Sequence, residues 1–341
     1  MKTTIKTPSK TYNIIIDKLP KLNFDRKVAV ITNHKIAGLH INYLTNNLSA
    51  KELHIITLPD GEEYKNWQNI EFILDRLFDA KFDRNSLLIA FGGGVVGDMT
   101  GFAASIFLRG VDFIQIPTTL LAMVDSSVGG KTGINNKYGK NLIGSFYQPN
   151  AVYIDTHFLS TLPKREFAAG TAEIIKMAVM FDKDFFEKIK NNSISLEKMI
   201  KRAVELKAEV VNQDEKEKGI RSVLNYGHTF GHVIENLTNY KTFLHGEAVA
   251  IGMVMANELS KTLGYLSENE AEEIKQVLKK NNLPIDFKIE NIEEFYNHFF
   301  LDKKTSNNKI KFIIPEKIGK YKIIDDIDKN IILKVLKKFE K

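Results

Sequence analysis

The 341-residue chain contains no cysteine. Disulfides, thiolate nucleophiles and cysteine-bound metals are excluded, and any metal must be held by His, Asp or Glu. Long apolar runs are also missing. Stretches such as Ile14–Ile16 and Met177–Phe181 fall far short of the about 20 residues of a membrane-spanning helix. The N-terminus has lysines but no apolar segment of secretory type. No basic block with aromatic partners occurs: the net charge of +6, from 48 Lys+Arg against 42 Asp+Glu, is spread along the chain. It reads as a solvated lysine-rich surface rather than a nucleic-acid footprint. Repeats and low-complexity linkers are lacking as well. What remains is the composition of a soluble globular protein, 43% apolar and 26% charged, expected in the cytoplasm and long enough for about two domains.

The first half alternates. Short runs rich in Ile and Val at 12–16, 27–32, 53–58, 86–91, 112–116 and 151–155 read as strands, and 35–46 and 62–80 carry helical spacing. Such alternation predicts βαβ units and a parallel sheet. From about Pro163 onward the pattern turns helical, over 166–180, 185–190, 195–212, 229–236, 247–263 and 267–280, with one hairpin near 309–324. The fold class expected is an α/β Rossmann-like parallel-sheet domain over 1–160 followed by a mostly α-helical domain over 161–341.

Of eight histidines, three fall within one 18-residue window: His228, His232 and His245. His228 and His232 share a helix face, in a segment whose polar side also takes in Arg221 and Asn225. Neutral imidazole is the commonest metal ligand, so this window is the candidate chemical centre. Two ligand sets are open. One is His228, His232 and a nearby acid such as Glu235; the other is His228 with His245 and a distant carboxylate, leaving His232 for substrate. Glu173 and Lys176, three apart on a helix, sit among small residues.

In the first half, Gly92, Gly94 and Gly97 fit G-x-G-x-x-G after a strand, which suits a pyrophosphate at a helix N-terminus. No acid follows about 20 residues on, as a dinucleotide site of the usual type would have it. Asp60 is either a helix N-cap or an acid for ribose hydroxyls. The stretch from Pro117 to Gly144 is dense in Asp125, Ser126, Ser127, Gly129, Gly130, Lys131, Lys140 and Asn141. It reads as a ligand loop, but it lacks the first glycine of a P-loop, which argues against an NTPase.

Taken together these blocks resemble the 3-dehydroquinate synthase family nearly end to end: Asp60-Gly-Glu, Gly92–Asp98, Arg109-Gly-Val, Pro117-Thr-Thr, Asp125–Lys131, Lys140–Gly144, Glu173-Ile-Ile-Lys, Arg221–His228 and His245-Gly-Glu. The resemblance implies a lyase of the shikimate pathway, with NAD and one divalent metal, Zn2+ or Co2+, acting on a heptulosonate phosphate. It implies Glu173, His228 and His245 as metal ligands. It implies NAD contacts at Asp60, Glu62, Lys65, Gly94, Val95, Val96, Gly97, Asp98, Thr118, Thr119, Lys131, Lys140, Phe158, Leu159, Ser160 and Thr161. Substrate contacts are implied at Asp125, Lys131, Asn141, Lys176, Lys207, Arg221, Asn225, His232 and one of Lys303 or Lys304. A homodimer in which Arg109 reaches the neighbouring site is implied too. Rival readings are another sugar-phosphate cyclase, a metal-dependent alcohol or glycerol dehydrogenase, and a catalytically dead binding module. The last would be expected to have lost Glu173, His228 or His245.

Overall fold

The structure, a computed structural model, describes residues 1–300 and 310–341. By internal contacts the chain forms two compact units, Met1–Pro163 with Lys207–Lys216, and Lys164–Leu206 with Glu217–Lys341.

In the first unit the strands are β1 (Lys2–Lys6), β2 (Thr11–Ile16), β3 (Leu22–Asn33), β4 (Leu48–Leu58), β5 (Leu87–Gly92), β6 (Asp112–Pro117), β7 (Lys131–Asn136), β8 (Gly139–Phe146) and β9 (Ala151–Ile154). Seven of them make one sheet in the order β1-β2-β9-β6-β5-β3-β4. Every pairing is parallel except the outer β1, which runs antiparallel to β2. Parallel strands covered on both faces read as unbroken apolar runs, and Leu87–Phe91 is such a run, wholly buried. Helices α1 (His34–Thr45), α2 (Trp67–Asp79) and α3 (Gly94–Ile106) are the crossovers. The core packs α2 and α3 onto β3, β4 and β5 through Ile70, Ile73, Leu77, Met99 and Ala103.

Two local expectations change. Periodicity suggested one helix over 62–80, but Glu62–Tyr64 is a single 3-10 turn and α2 starts at Trp67. Asn66 is extended, and its side chain accepts from the amide of Asn69 as an N-cap, so the chain restarts there. The stretch 131–146 reads as loop in sequence yet pairs as the β7–β8 hairpin. Its glycines explain this: a Cβ on Gly133 or Gly144 would run into the backbone of the opposite strand.

The second unit holds α4 (Lys164–Phe181), α5 (Lys183–Lys190), most of α6 (Leu196–Gln213), α7 (His228–Leu237), α8 (His245–Thr262), α9 (Glu268–Lys280), α10 (Ile292–His298) and α11 (Lys329–Leu336). A hairpin, β10 (Phe312–Lys317) and β11 (Lys320–Ile324), completes it. Both short helices α10 and α11 escape a periodicity reading. α4 is buried on every side from Ala168 to Met180, and α8 nearly so, as befits helices inside a bundle. Glycines set how closely these helices meet. Gly246 lies on the backbone of Ala169, Gly252 on the carbonyl of Gly227, and Gly231 on the carbonyl of Ala248. No helix among the described residues is long and apolar enough to cross a membrane.

A Cβ at Gly252 would meet backbone rather than a movable side chain, so Gly252→Ala must separate α7 from α8. Overpacking of this kind costs about 1–3 kcal/mol, to be read as a lowered midpoint in urea unfolding.

Candidate functional site

α4, α7 and α8 bring three side chains together: Glu173, His228 and His245 offer ligand atoms all within 4.8 Å of one another. Gly227, at φ 80, turns the chain so that α7 begins at His228 itself, while His245 is the first residue of α8. Glu173 is fully buried in the middle of α4. The Lys176 ammonium pairs with its carboxylate, and His228 Nε2 stands 3.7 Å from Oε1. Beyond that ammonium, neither Glu173 oxygen has a hydrogen-bond donor among the described residues. A buried carboxylate left in that state is costly, and a divalent cation is the chemistry this donor set fits.

The tautomers follow from the partners. His228 Nδ1 is 3.1 Å from the Tyr226 carbonyl, and His245 Nδ1 is 3.3 Å from Glu235 Oε2. A carbonyl or ionised carboxylate only accepts, so both Nδ1 atoms donate, and the neutral form of each ring then has its lone pair on Nε2, on the far side of the ring. Glu235 is buried and orients His245 as carboxylates commonly orient metal-bound histidines. A second grouping, His232, Glu235 and His245, falls within the same 4.8 Å, and it shares His245 and contains the Glu235 that faces the His245 ring.

Lys176 on α4 and Arg221 are buried, each 2% exposed. Arg221 and Asn225 occupy a 3-10 turn, Ile220–Asn225, which the break at Tyr226–Gly227 separates from α7. They therefore do not continue the helical stripe of His228 and His232. Asn225 Nδ2 donates to Glu217 Oε1 at 3.2 Å. Tyr226 is the support beneath: its hydroxyl donates to Asn257 at 2.6 Å, and burial pushes the phenol well above its ordinary pKa. His232, one turn after His228, sets its ring edge-on to it with centroids 5.4 Å apart.

In the first unit, the residues expected at a nucleotide gather at the carboxyl ends of parallel strands, where such sheets bind ligands. Asp60 follows β4, Gly93–Asp98 follows β5, Thr118 and Thr119 follow β6, and Thr156–Thr161 follows β9. The register aligns these ends, with Asn33 opposite Leu58 and Gly92 opposite Pro117. α3 has Gly93 as N-cap with no side-chain cap bond, so its first-turn amides suit an anion. Gly97 also makes room for Gln115 behind it. Asp60 caps no helix; it accepts from Asn33 Nδ2 at 2.6 Å. Phe158 and Leu159 are buried core side chains, and Thr161 Oγ1 meets His40 Nε2 at 2.7 Å.

Buried cations here are engaged. Lys207 Nζ donates to Asp125 Oδ1 and to its carbonyl, both at 2.6 Å. Lys65 Nζ reaches Asp98 Oδ2 at 2.5 Å and also Asn141 Oδ1. Burial works against that ammonium, but Asp98 and Glu62 outweigh it and hold its pKa above the usual lysine value. Lys131 is exposed at the start of β7 and Lys140 half-buried on β8. Arg109 is exposed in a loop where Leu108, Arg109 and Gly110 all have positive φ (47, 71 and 120). Lys303 and Lys304 lie outside the described residues. Sequence reasoning missed Asn33, Asn135 and His40, and saw Glu235 only as a ligand. Lone polar residues at strand ends and in helices carry no signal until their partners are known.

Comparison with known proteins adds the following. A family model described as "3-dehydroquinate synthase N-terminal" matches residues 55–169, and one described as "3-dehydroquinate synthase C-terminal" matches 170–305. The chain is 64% identical over 338 residues to a 3-dehydroquinate synthase of Sulfurovum sp., covering 98% of this chain and 97% of that one. Among solved structures it is similar to a 2-deoxy-scyllo-inosose synthase complexed with carbaglucose-6-phosphate, NAD+ and Co2+, with TM-score 0.86 and 26% identity over 99% of this chain and 100% of that one. A 2-epi-5-epi-valiolone synthase of Streptomyces hygroscopicus, at 24% identity and TM-score 0.86 over 96% of both chains, shares the fold.

Glu235→Ala should weaken Zn2+ binding about 10- to 100-fold by releasing His245, the usual effect of losing an outer-shell partner. Titration against a competing chelator reads this directly, and unchanged affinity would remove Glu235 from the role.

Proposed function

The chain belongs to the 3-dehydroquinate synthase family, and from that premise we propose that it converts 3-deoxy-D-arabino-heptulosonate 7-phosphate to 3-dehydroquinate and phosphate. It would do so as a cytoplasmic carbon–oxygen lyase of the shikimate pathway. The observation that carries this reading is the Glu173, His228 and His245 cluster, whose ligand atoms converge around a fully buried carboxylate. NAD, when bound, supplies a reversible hydride acceptor, and a divalent ion such as Zn2+ or Co2+ supplies a Lewis acid. Substrate less phosphoric acid equals product, so the conversion consumes no net oxidant and NAD is regenerated.

The chain's own residues do the rest. Glu173, His228 and His245 hold the ion. The first-turn amides of Gly94, Val95 and Val96 and the α3 dipole would receive the pyrophosphate, with Gly97 leaving room behind them, and Asp60 and Glu62 would accept from ribose hydroxyls. Asp98, Thr118, Thr119, Lys140 and the backbone of Phe158–Thr161 line the remaining cradle. The substrate carries a carboxylate and a phosphate, and Lys131, Lys176, Lys207 and Arg221 supply the matching cations, with Lys303 or Lys304. Asp125, Asn141 and Asn225 orient sugar hydroxyls, and His232 moves a proton. The exposed, strained loop at 108–110 suits an Arg109 that serves a second copy in a homodimer, since strain of this kind gathers at functional sites.

His228→Ala should lose both bound metal and phosphate release. His232→Ala should keep the metal in elemental analysis and lose turnover by about 100-fold or more, the scale of a lost proton-transfer group. Metal loss in the His232 variant would transfer that histidine to the ligand set and overturn the assignment.

A further inference from the structure

We propose that Asn135 is a positioning residue that joins the nucleotide contacts and the substrate contacts of the first unit into one network, so that each ligand prepares the place of the other. The proposal rests on the reading that Glu62 and Asp98 serve NAD and Asn141 serves the substrate.

Asn135 sits near the end of β7 and spends its amide on two partners. Its Nδ2 donates to Glu62 Oε1 at 2.8 Å and to the Glu62 carbonyl at 3.3 Å. Its Oδ1 accepts from the backbone amide of Asn141 at 2.9 Å. Its own backbone amide donates to the Lys65 carbonyl at 2.8 Å. The Lys65 ammonium then joins Asn141 Oδ1 to Asp98 Oδ2. Asn135, Asn141 and Lys65 thus form a closed ring of hydrogen bonds, with Glu62 hung from one corner and Asp98 from another.

Each corner is constrained. Asn141 has φ 56, a left-handed conformation that asparagine tolerates, and in this ring its amide and its side chain are both held. Lys65 is 4% exposed, and a lysine so buried keeps its charge only through such partners. The Glu62 carboxylate is aimed by the donor from Asn135. A shift of Glu62 or Asp98 toward a nucleotide therefore moves Asn135 or Lys65, the two groups that hold Asn141, and the reverse holds for a substrate that pulls on Asn141. Coupling between two ligands must be equal in both directions, and hydrogen-bonded networks lose more than the sum of their single bonds when one member is cut.

The test uses the full-length chain loaded with Zn2+. NAD affinity is measured by calorimetry with and without a saturating phosphonate isostere of the substrate, which cannot lose phosphate. Asn135→Ala should weaken NAD about tenfold, the effect of one lost bond to a charged acceptor, and should abolish any tightening by the isostere. Asn135→Asp should be worse, because it sets a carboxylate against Glu62. The exchanged pair Glu62→Gln with Asn135→Asp should recover NAD affinity over Asn135→Asp alone. The side-chain amide introduced at position 62 can donate to the carboxylate introduced at position 135, which still accepts from the amide of Asn141. A purely structural asparagine would give variants with lowered thermal midpoints and unchanged NAD affinity and coupling, which would overturn the proposal. If Asn135→Ala does not fold, the exchanged pair decides: no recovery over Asn135→Asp sinks the idea. Failure of the unsubstituted protein to bind NAD would instead bring down the nucleotide reading on which the proposal stands.

Discussion

A carboxylate buried in the middle of a helix is the constraint from which the second unit can be understood. Glu173 cannot sit in α4 without compensating charge. Lys176, one turn on, gives part of it, and two imidazoles with their Nδ1 protons pinned away give the geometry for the remainder. Those imidazoles arrive only because α7 and α8 pack close. Gly227, Gly231, Gly246 and Gly252 lie where a side chain would push helices apart. Packing by small residues and the placement of ligands are one solution.

The first unit answers a different requirement. Parallel strands expose backbone groups at their carboxyl ends, and glycine after β5 leaves helix amides uncapped there. The polar residues that follow β4, β5 and β6 are then tied to one another. Asn33 holds Asp60, and Lys65 holds Asp98 and Asn141. Ties of this kind hold polar side chains in one geometry, which lowers the cost of binding.

Much of this was legible in the chain itself. The alternation of short Ile- and Val-rich runs with helical segments in the first half indicated parallel strands, because parallel neighbours need a crossover between them. The helical texture after Pro163 indicated the second half, and the four-residue spacing of His228 and His232 pointed to the region where Glu173, His228 and His245 converge. Spacing could not choose between ligand sets, since that choice depends on which ring nitrogen is pinned by Tyr226 and Glu235. It extended the polar face to Arg221 and Asn225, where Gly227 in fact breaks the helix. The hairpin at 131–146 was hidden because its strands pair through glycines and expose apolar Leu142, Ile143 and Phe146, so no inward apolar alternation marks them. The return of 207–216 to the first unit depends on Glu215 meeting Ser9 and Gln148, contacts about 206 and 67 positions distant in sequence that no local pattern encodes.

The central claim is that NAD is a recycled oxidant in this chain rather than a consumed one, and counting turnovers tests it. The heptulosonate phosphate is supplied with Zn2+ and a trace of NAD, and released phosphate is measured alongside absorbance of the reduced cofactor. The account predicts many phosphates per NAD with no accumulation of NADH. One NADH formed per substrate, with phosphate retained, would contradict it and make the chain a dehydrogenase.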